Sequence, residues 1–170
     1  MDASKATYRQ PCNWSKFASW VTVLTVTVFV VLSFVYVGGD SDKTKWAFVI
    51  IRWILILMLL GGLYYCPRYV EITPSRLIID RLLTKKQIPV SEIVSAVPYQ
   101  RTMNFVRTWG SGGLFGFWGW FRNQELGRFF VYATSLDQLV LVTLSSGRKY
   151  VISCENAQEM ACQITLRLRK

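Results

Sequence analysis

The sequence predicts a membrane-anchored α+β protein: a two-helix transmembrane hairpin, then a β-barrel or two-sheet domain closed by a C-terminal α-helix. Three observations carry this. Two long apolar stretches, residues 17–37 and 46–66, open a chain of 170 residues. A run of short strand-like segments separated by turn residues follows. The last segment is amphipathic at the helical period.

Each apolar stretch, as a helix rising about 1.5 Å per residue, covers roughly 30 Å, the thickness of a bilayer core. Only Arg52 interrupts them with a charge. The expected organisation is an N-terminal tail (1–16), a first span (17–37), a short outer loop (38–45), a second span (46–66) and a globular part (67–170). A cleaved signal peptide fits the first stretch poorly, because its apolar region is too long and no A-x-A site follows. Lys5, Arg9 and Lys16 precede the first span, and Arg68, Arg76, Arg81, Lys85 and Lys86 follow the second. The loop holds only Lys43 and Lys45, offset by Asp40 and Asp42. The positive-inside rule then places both termini in the cytoplasm of a multi-pass inner-membrane protein. Trp14, Trp20, Tyr36, Trp46, Tyr64, Tyr65 and Tyr69 mark the interfaces. Arg52 lies six residues after Trp46 and can snorkel toward the outer face, since helical side chains lean toward the N-terminus. Its other reading is an interhelical or ion-pathway residue, although neither span holds an acid to pair with it.

Beyond Cys66 the pattern changes period. Residues 69–73 alternate, Pro74-Ser75 reads as a turn, and 76–83 and 85–90 give two further strands. A helical turn at 91–94 leads into 95–99. Strands at 128–134, 139–144 and 149–153 are sharper, the last two joined by Ser145-Ser146-Gly147-Arg148 as a hairpin turn. Asn156 with Glu159 fits a capping box, and Ala157, Met160, Ala161, Ile164 and Leu168 then share one face, with Gln158, Gln163, Arg167 and Arg169 elsewhere. Such a helix covers the apolar mouth that a small curled sheet leaves open.

The run Ile72-Thr73-Pro74-Ser75-Arg76-Leu77-Ile78-Ile79 resembles the opening hairpin of bacterial PH-like domains, and Ile88-Pro89-Val90-Ser91-Glu92-Ile93 is similar to the segment that follows. Gly112-Gly113-Leu114-Phe115-Gly116, then Leu126-Gly127, then Tyr132-Ala133-Thr134 resemble one branch of that family. The resemblance covers roughly residues 69–168 and implies a membrane-anchored PH-like barrel with a C-terminal helix, among bacterial PH domain proteins of uncharacterised function. It does not extend to the basic first loop with which eukaryotic PH modules hold phosphoinositides, since Thr73-Pro74-Ser75-Arg76 has one basic residue.

Residues 105–121 are unusual. Phe105, Trp109, Phe115, Phe117, Trp118, Trp120 and Phe121 alternate with glycines, and Arg101, Arg107, Arg122 and Arg128 flank them. Tryptophan and arginine suit the headgroup layer, where ring, N–H and cation each find a partner. Three readings compete: a loop contacting the membrane or its own helices, a hairpin filling the barrel, or a platform for unpaired bases. The near-absent linker favours the first, with alternate residues facing in and out. Arg107, Trp109, Phe117, Trp118, Trp120 and Arg122 are the expected membrane or partner contacts, and Arg52 the intramembrane polar residue.

The chain carries a net charge of +10, and from residue 67 onward 14 Lys/Arg stand against 7 Asp/Glu. A basic module hung from a bilayer suits anionic headgroups. Histidine is absent, which excludes Ser-His-Asp and Cys-His arrangements, and no P-loop order occurs. Cys12, Cys66, Cys154 and Cys162 lack metal spacing. Cys12 and Cys66 fall at one membrane edge, where acylation is one option and plain small residues the simpler one. No catalytic site, metal or cofactor is expected, nor a nucleic-acid or small-molecule partner. The expected role is non-catalytic binding at the inner-membrane surface, to lipid headgroups or protein partners including a second copy, as in scaffolding or assembly. An oligomeric transport or channel-like component using Arg52 is the alternative.

Overall fold

The computed structural model describes residues 7–35, 42–100 and 105–168. Lys5, Tyr36, Asp40, Arg101 and Arg169, used in the sequence reading, lie outside them. In chain order the elements are β1 (Tyr8–Pro11), α1 (Lys16–Val35), α2 (Asp42–Tyr65), β2 (Pro67–Ile72), β3 (Arg76–Arg81), β4 (Lys85–Pro89), a 3-10 turn (Val90–Glu92), β5 (Ile93–Tyr99), β6 (Val106–Gly113), β7 (Gly116–Asn123), β8 (Gly127–Ala133), β9 (Leu139–Leu144), β10 (Lys149–Ser153) and α3 (Ala157–Leu168).

Two sheets form. One has the order β1-β2-β3-β4, antiparallel throughout, and the other β5-β9-β10-β8-β7-β6. Within the second, β10 pairs parallel with β8, Val151 opposite Val131, and the remaining pairs are antiparallel. The expected tail residues Tyr8–Pro11 are a sheet edge: Tyr8 pairs with Ile72 and Pro11 with Tyr69. Proline at the end of an edge strand costs no ladder bond, which is why this segment tolerates Pro11.

The main core lies between the sheets and under α3. Val70, Ile72, Leu77, Ile79 and Ile88 from the first sheet meet Ala96, Phe130, Tyr132, Val140, Val142 and Ile152 from the second, with Met160, Ala161 and Ile164 of α3 closing it. A second cluster occupies the other side of the large sheet, around Phe129, Val131, Ala133, Leu139, Leu141 and Val151. The alternation seen in β8 is therefore real, but both of its faces are buried. The first turn of α3 is capped by three side-chain oxygens. Asn156 Oδ1 accepts the Glu159 N–H (3.1 Å), Gln10 Oε1 that of Asn156 (3.0 Å) and Gln138 Oε1 that of Ala157 (3.2 Å). Arg167 departs from expectation: it is buried, its Nη1 donating to Gln163 O and Oε1, because its long stem can lie along the helix surface.

The helices behave differently from the domain. By length and composition α2 is able to cross a membrane over Phe48–Tyr65; the described apolar stretch of α1, Lys16–Leu32, is shorter. Both expose large apolar side chains, among them Val23, Leu24, Val28 and Val31 on α1 and Ile50, Ile54, Leu57 and Met58 on α2. The start of α1 is pinned to the domain. Ser15 Oγ caps the Ala18 N–H (3.1 Å), the Ser15 N–H donates to Thr134 O (3.0 Å), and Thr134 Oγ1 donates to Asn13 O (2.9 Å).

Candidate functional site

The glycine-rich aromatic segment folds as the β6–β7 hairpin. Its strands pair from Val106–Arg122 to Gly113–Gly116, with an irregularity between Arg107 and Trp109. Gly110 and Gly119 face each other with φ of 115° and 121°, and a Cβ on either would strike backbone carbonyl oxygen across the ladder. Glycine here is a requirement of the close approach between strands.

The hairpin's tip enters the space where α1 begins and α2 ends. The Phe115 N–H donates to Thr22 Oγ1 (2.9 Å), and the Phe115 ring lies on Gly62 of α2, where any Cβ would overlap it. Ring contacts continue down both sides. Phe17 stacks on Phe117 at 6.3 Å, Trp14 meets Phe115 edge-on at 6.4 Å, and Tyr65 stacks on Trp118 at 4.8 Å with 12° between planes. Offset stacking of this kind contributes roughly 0.5–1.5 kcal/mol beyond area burial. Trp109 lies edge-on to Tyr65 and Trp118, and Trp120 packs on Phe130 beneath the Arg128 guanidinium, 4.4 Å from the ring centroid.

The six expected contact residues thus differ in burial, and the difference does not follow strand face: Trp118, Trp120 and Arg122 share one face of β7 and Phe117 lies on the other. Trp118 is buried against Tyr65, while Phe117 and Trp120 are half-buried. Arg107, Trp109 and Arg122 are exposed, Trp109 at 55%. Trp109 and Trp118 come together (6.0 Å), whereas Arg107 and Arg122 lie on opposite faces of the hairpin, the Arg107 guanidinium beside Gly112. Arg52 stands apart, exposed on α2 and about 20 Å along the helix from Tyr65 at roughly 1.5 Å per residue.

Sequence reasoning missed Arg81. It ends β3 opposite Pro67, is buried, and places its guanidinium 5.1 Å from the Tyr64 ring and 5.7 Å from those of Tyr65 and Tyr132. Burial pushes the Tyr132 hydroxyl up to about 12, partly opposed by Arg81. The signal was available in the sequence only as one basic residue among several after the second span. The cysteines at the same edge are buried. Desolvation raises Cys12 and Cys154 to about 12, so their thiolate forms are scarce, and burial keeps Cys12 and Cys66 from an acyl donor. Among the described residues no group of His, Cys, Asp or Glu converges as a metal site.

Two sheets packed over a common core, closed by one C-terminal helix, define a small β domain of the PH-like class. The chain matches the bacterial PH domain family over residues 68–168, and it belongs to that family. No curated protein and no solved structure matches it. PH domains are in general non-catalytic modules that bind lipids or proteins.

Proposed function

We propose that this is an integral protein of the bacterial inner membrane. In this reading α1 and α2 cross the bilayer as a hairpin with both termini cytoplasmic. The PH-like domain is held against the inner leaflet, where it binds lipid headgroups or protein partners without catalysis and organises an assembly there. One observation supports this above others: many large apolar side chains along both helices are exposed, while rings and cations collect where the helices meet the domain. Exposed apolar surface of that extent implies a non-aqueous neighbour. Trp14, Trp20, Tyr64 and Trp109 with Lys16, Arg68 and Arg107 give the mixed aromatic and basic belt of an interface.

The contact surface in this reading is the exposed part of the β6–β7 hairpin, Arg107, Trp109 and Arg122, with the more buried Phe117, Trp118 and Trp120 holding it in shape. Alkaline carbonate should leave the full chain in the membrane fraction, and an impermeant maleimide should reach the exposed Cys162 only after cells are opened. A photo-crosslinker at position 109 in native membranes should capture lipid or a protein neighbour far more than one at Ser75, in the turn between β2 and β3. Extraction of the intact chain would end the membrane reading; equal capture at 109 and 75 would end the contact-surface reading.

A further inference from the structure

We propose that the turn joining β3 to β4, residues 82–84, together with the strand ends that flank it is a second membrane-binding element: Leu82 and Leu83 enter the boundary of the acyl chains, and Arg81, Lys85 and Lys86 receive the phosphate of an anionic phospholipid headgroup. The proposal rests on the reading that α2 crosses the bilayer.

Chain direction places the turn. β2 starts at Pro67, directly after α2, and runs away from the helix; β3 returns antiparallel, bringing Arg81 opposite Pro67. The chain then overshoots that pair. The Leu82 N–H donates to Cys66 O (3.2 Å), so the turn lies beside the foot of α2. A tip at this position meets whatever surrounds the helix end.

Its composition suits lipid and not water. Leu82 and Leu83 are 43% and 61% exposed, in a turn where polar residues are the rule. Lys85 and Lys86 follow immediately, a pairing of apolar wedge and cations that matches the boundary between chains and anionic headgroups.

Arg81 supplies an independent observation. It is nine-tenths buried, its Nε makes no hydrogen bond, and neither does the buried Thr84 Oγ1 in the same turn. The nearest carboxylate in sequence, Asp80, is engaged by Arg9 (3.5 Å) and Lys85 (3.8 Å), and no described carboxylate pairs with Arg81. Tyrosine rings hold a guanidinium through its face, which leaves N–H groups wanting an anionic acceptor. A phosphate oxygen matches that need.

The test uses the full chain carrying Cys162→Ser, in nanodiscs of brominated phosphatidylcholine with or without phosphatidylglycerol. A polarity-sensitive fluorophore is attached to Leu83→Cys, to Leu57→Cys on α2 or to Ser75→Cys in the distant turn. The 57 probe should be quenched in both lipids, the 83 probe quenched and more so with phosphatidylglycerol, and the 75 probe not at all. A quenched 57 probe with an unquenched 83 probe overturns this proposal and leaves the spanning reading intact; an unquenched 57 probe overturns the spanning reading itself. For the headgroup, native mass spectrometry should show phosphatidylglycerol retention, relative to phosphatidylcholine, falling at least fivefold in Arg81→Gln. Unchanged retention in a folded variant makes Arg81 a structural residue only. If Arg81→Gln does not fold, the Lys85→Gln/Lys86→Gln pair takes its place, with a threefold fall expected and no change overturning the headgroup assignment. Millimolar inorganic phosphate should not displace the lipid; displacement would mean a free-anion site and would overturn the commitment to lipid.

Discussion

Strand β3 has a different environment at each end, and its two turns differ accordingly. The turn before it closes on itself. The Thr73 N–H and Oγ1 both donate to Arg76 O (2.9 Å each), Thr73 Oγ1 accepts from the Arg76 N–H (3.0 Å), and Ser75 O accepts from the Val90 N–H (2.9 Å). The turn after it, about 20 Å away at roughly 3.3 Å per residue, also closes its backbone, the Arg81 N–H donating to Thr84 O (2.9 Å), but exposes two leucines and leaves Arg81 Nε and Thr84 Oγ1 without hydrogen bonds. One strand thus joins an end whose side-chain polar groups are paired to an end with two buried ones that are not. The same division runs through the whole domain: the β9–β10 turn lies at the self-sufficient end with the Ser145 N–H on Glu92 O, while the β6–β7 tip lies at the helix end, on Thr22 and Gly62.

The largest effect should come from breaking the helix-end hairpin at its glycine pair. In Gly119→Ala the added Cβ meets Trp109 O at a φ of 121°. We expect a loss on the order of 4 kcal/mol or outright failure to fold, read by thermal unfolding of the full chain in detergent. Gly147→Ala is the matched change at the other end. That glycine also has a positive φ (77°), but a Cβ there meets nothing within 4 Å, so only the strain of the backbone remains, about 1 kcal/mol. Similar losses for the two would show that the close approach of β6 and β7 is not what glycine serves.

A second comparison separates the tryptophans within the helix end. Trp118→Ala removes a buried ring from beneath Tyr65 and should cost about 3 kcal/mol; Trp109→Ala removes a half-exposed one and should cost about 1. Trp109→Ala should, however, weaken photo-crosslinking to membrane neighbours more than its stability cost suggests. If Trp118→Ala alone lowered crosslinking while both unfolded alike, the hairpin's role would be packing and not contact.

These differences explain what was readable in the sequence. The strands from residue 69 to 99 and from 128 to 153 announce themselves by alternation and turn residues, and α3 by Asn156 and its apolar face. The aromatic segment resists the same reading because its ladder is built from glycines at positive φ, and because Trp118 and Trp120 face one cluster while Phe117 and Phe121 face the other. Its three readings could not be separated without knowing that Thr22 and Gly62 receive the tip. β1 is four residues with a proline, too short to carry a period. The parallel pairing of β8 with β10 depends on which strand finds which, and nothing local encodes it. Arg81, Leu82 and Leu83 continue the apolar run of β3 without a Gly or Pro to end it, so the pattern reads as a strand to residue 83 and conceals the turn.

Smaller effects come from titration at the helix end. Cys12, whose thiol also donates to Ser153 O (3.0 Å), is raised by burial from an ordinary 9.0 to about 12. The folded value lies above the unfolded one, so the stability from the buried neutral thiol is fully present below pH 9. It declines as pH rises from 9 toward 12, because the unfolded state releases its proton first. At one unit above the unfolded value the loss is about 1.4 kcal/mol. The stability gap between the native chain and Cys12→Ala, measured by urea unfolding at pH 7 and pH 10, should narrow by that amount; a gap independent of pH would mean the thiol ionises in the folded state as readily as in water.

The smallest effect is reserved for the end that faces water. Thr73→Ala deletes a hydroxyl that both donates and accepts within its own turn, but water can replace both bonds there, so the expected loss is about 0.5–1 kcal/mol. Membrane retention, quenching of a probe at position 83 and crosslinking at position 109 should all be unchanged, since the lesion lies about 20 Å from the helix end by strand rise. A Thr73→Ala chain that lost lipid contact while keeping its fold would mean that the self-satisfied turn also touches the bilayer. The domain would then have no water-facing end, and the contrast between the two ends of β3 would describe hydrogen bonding alone.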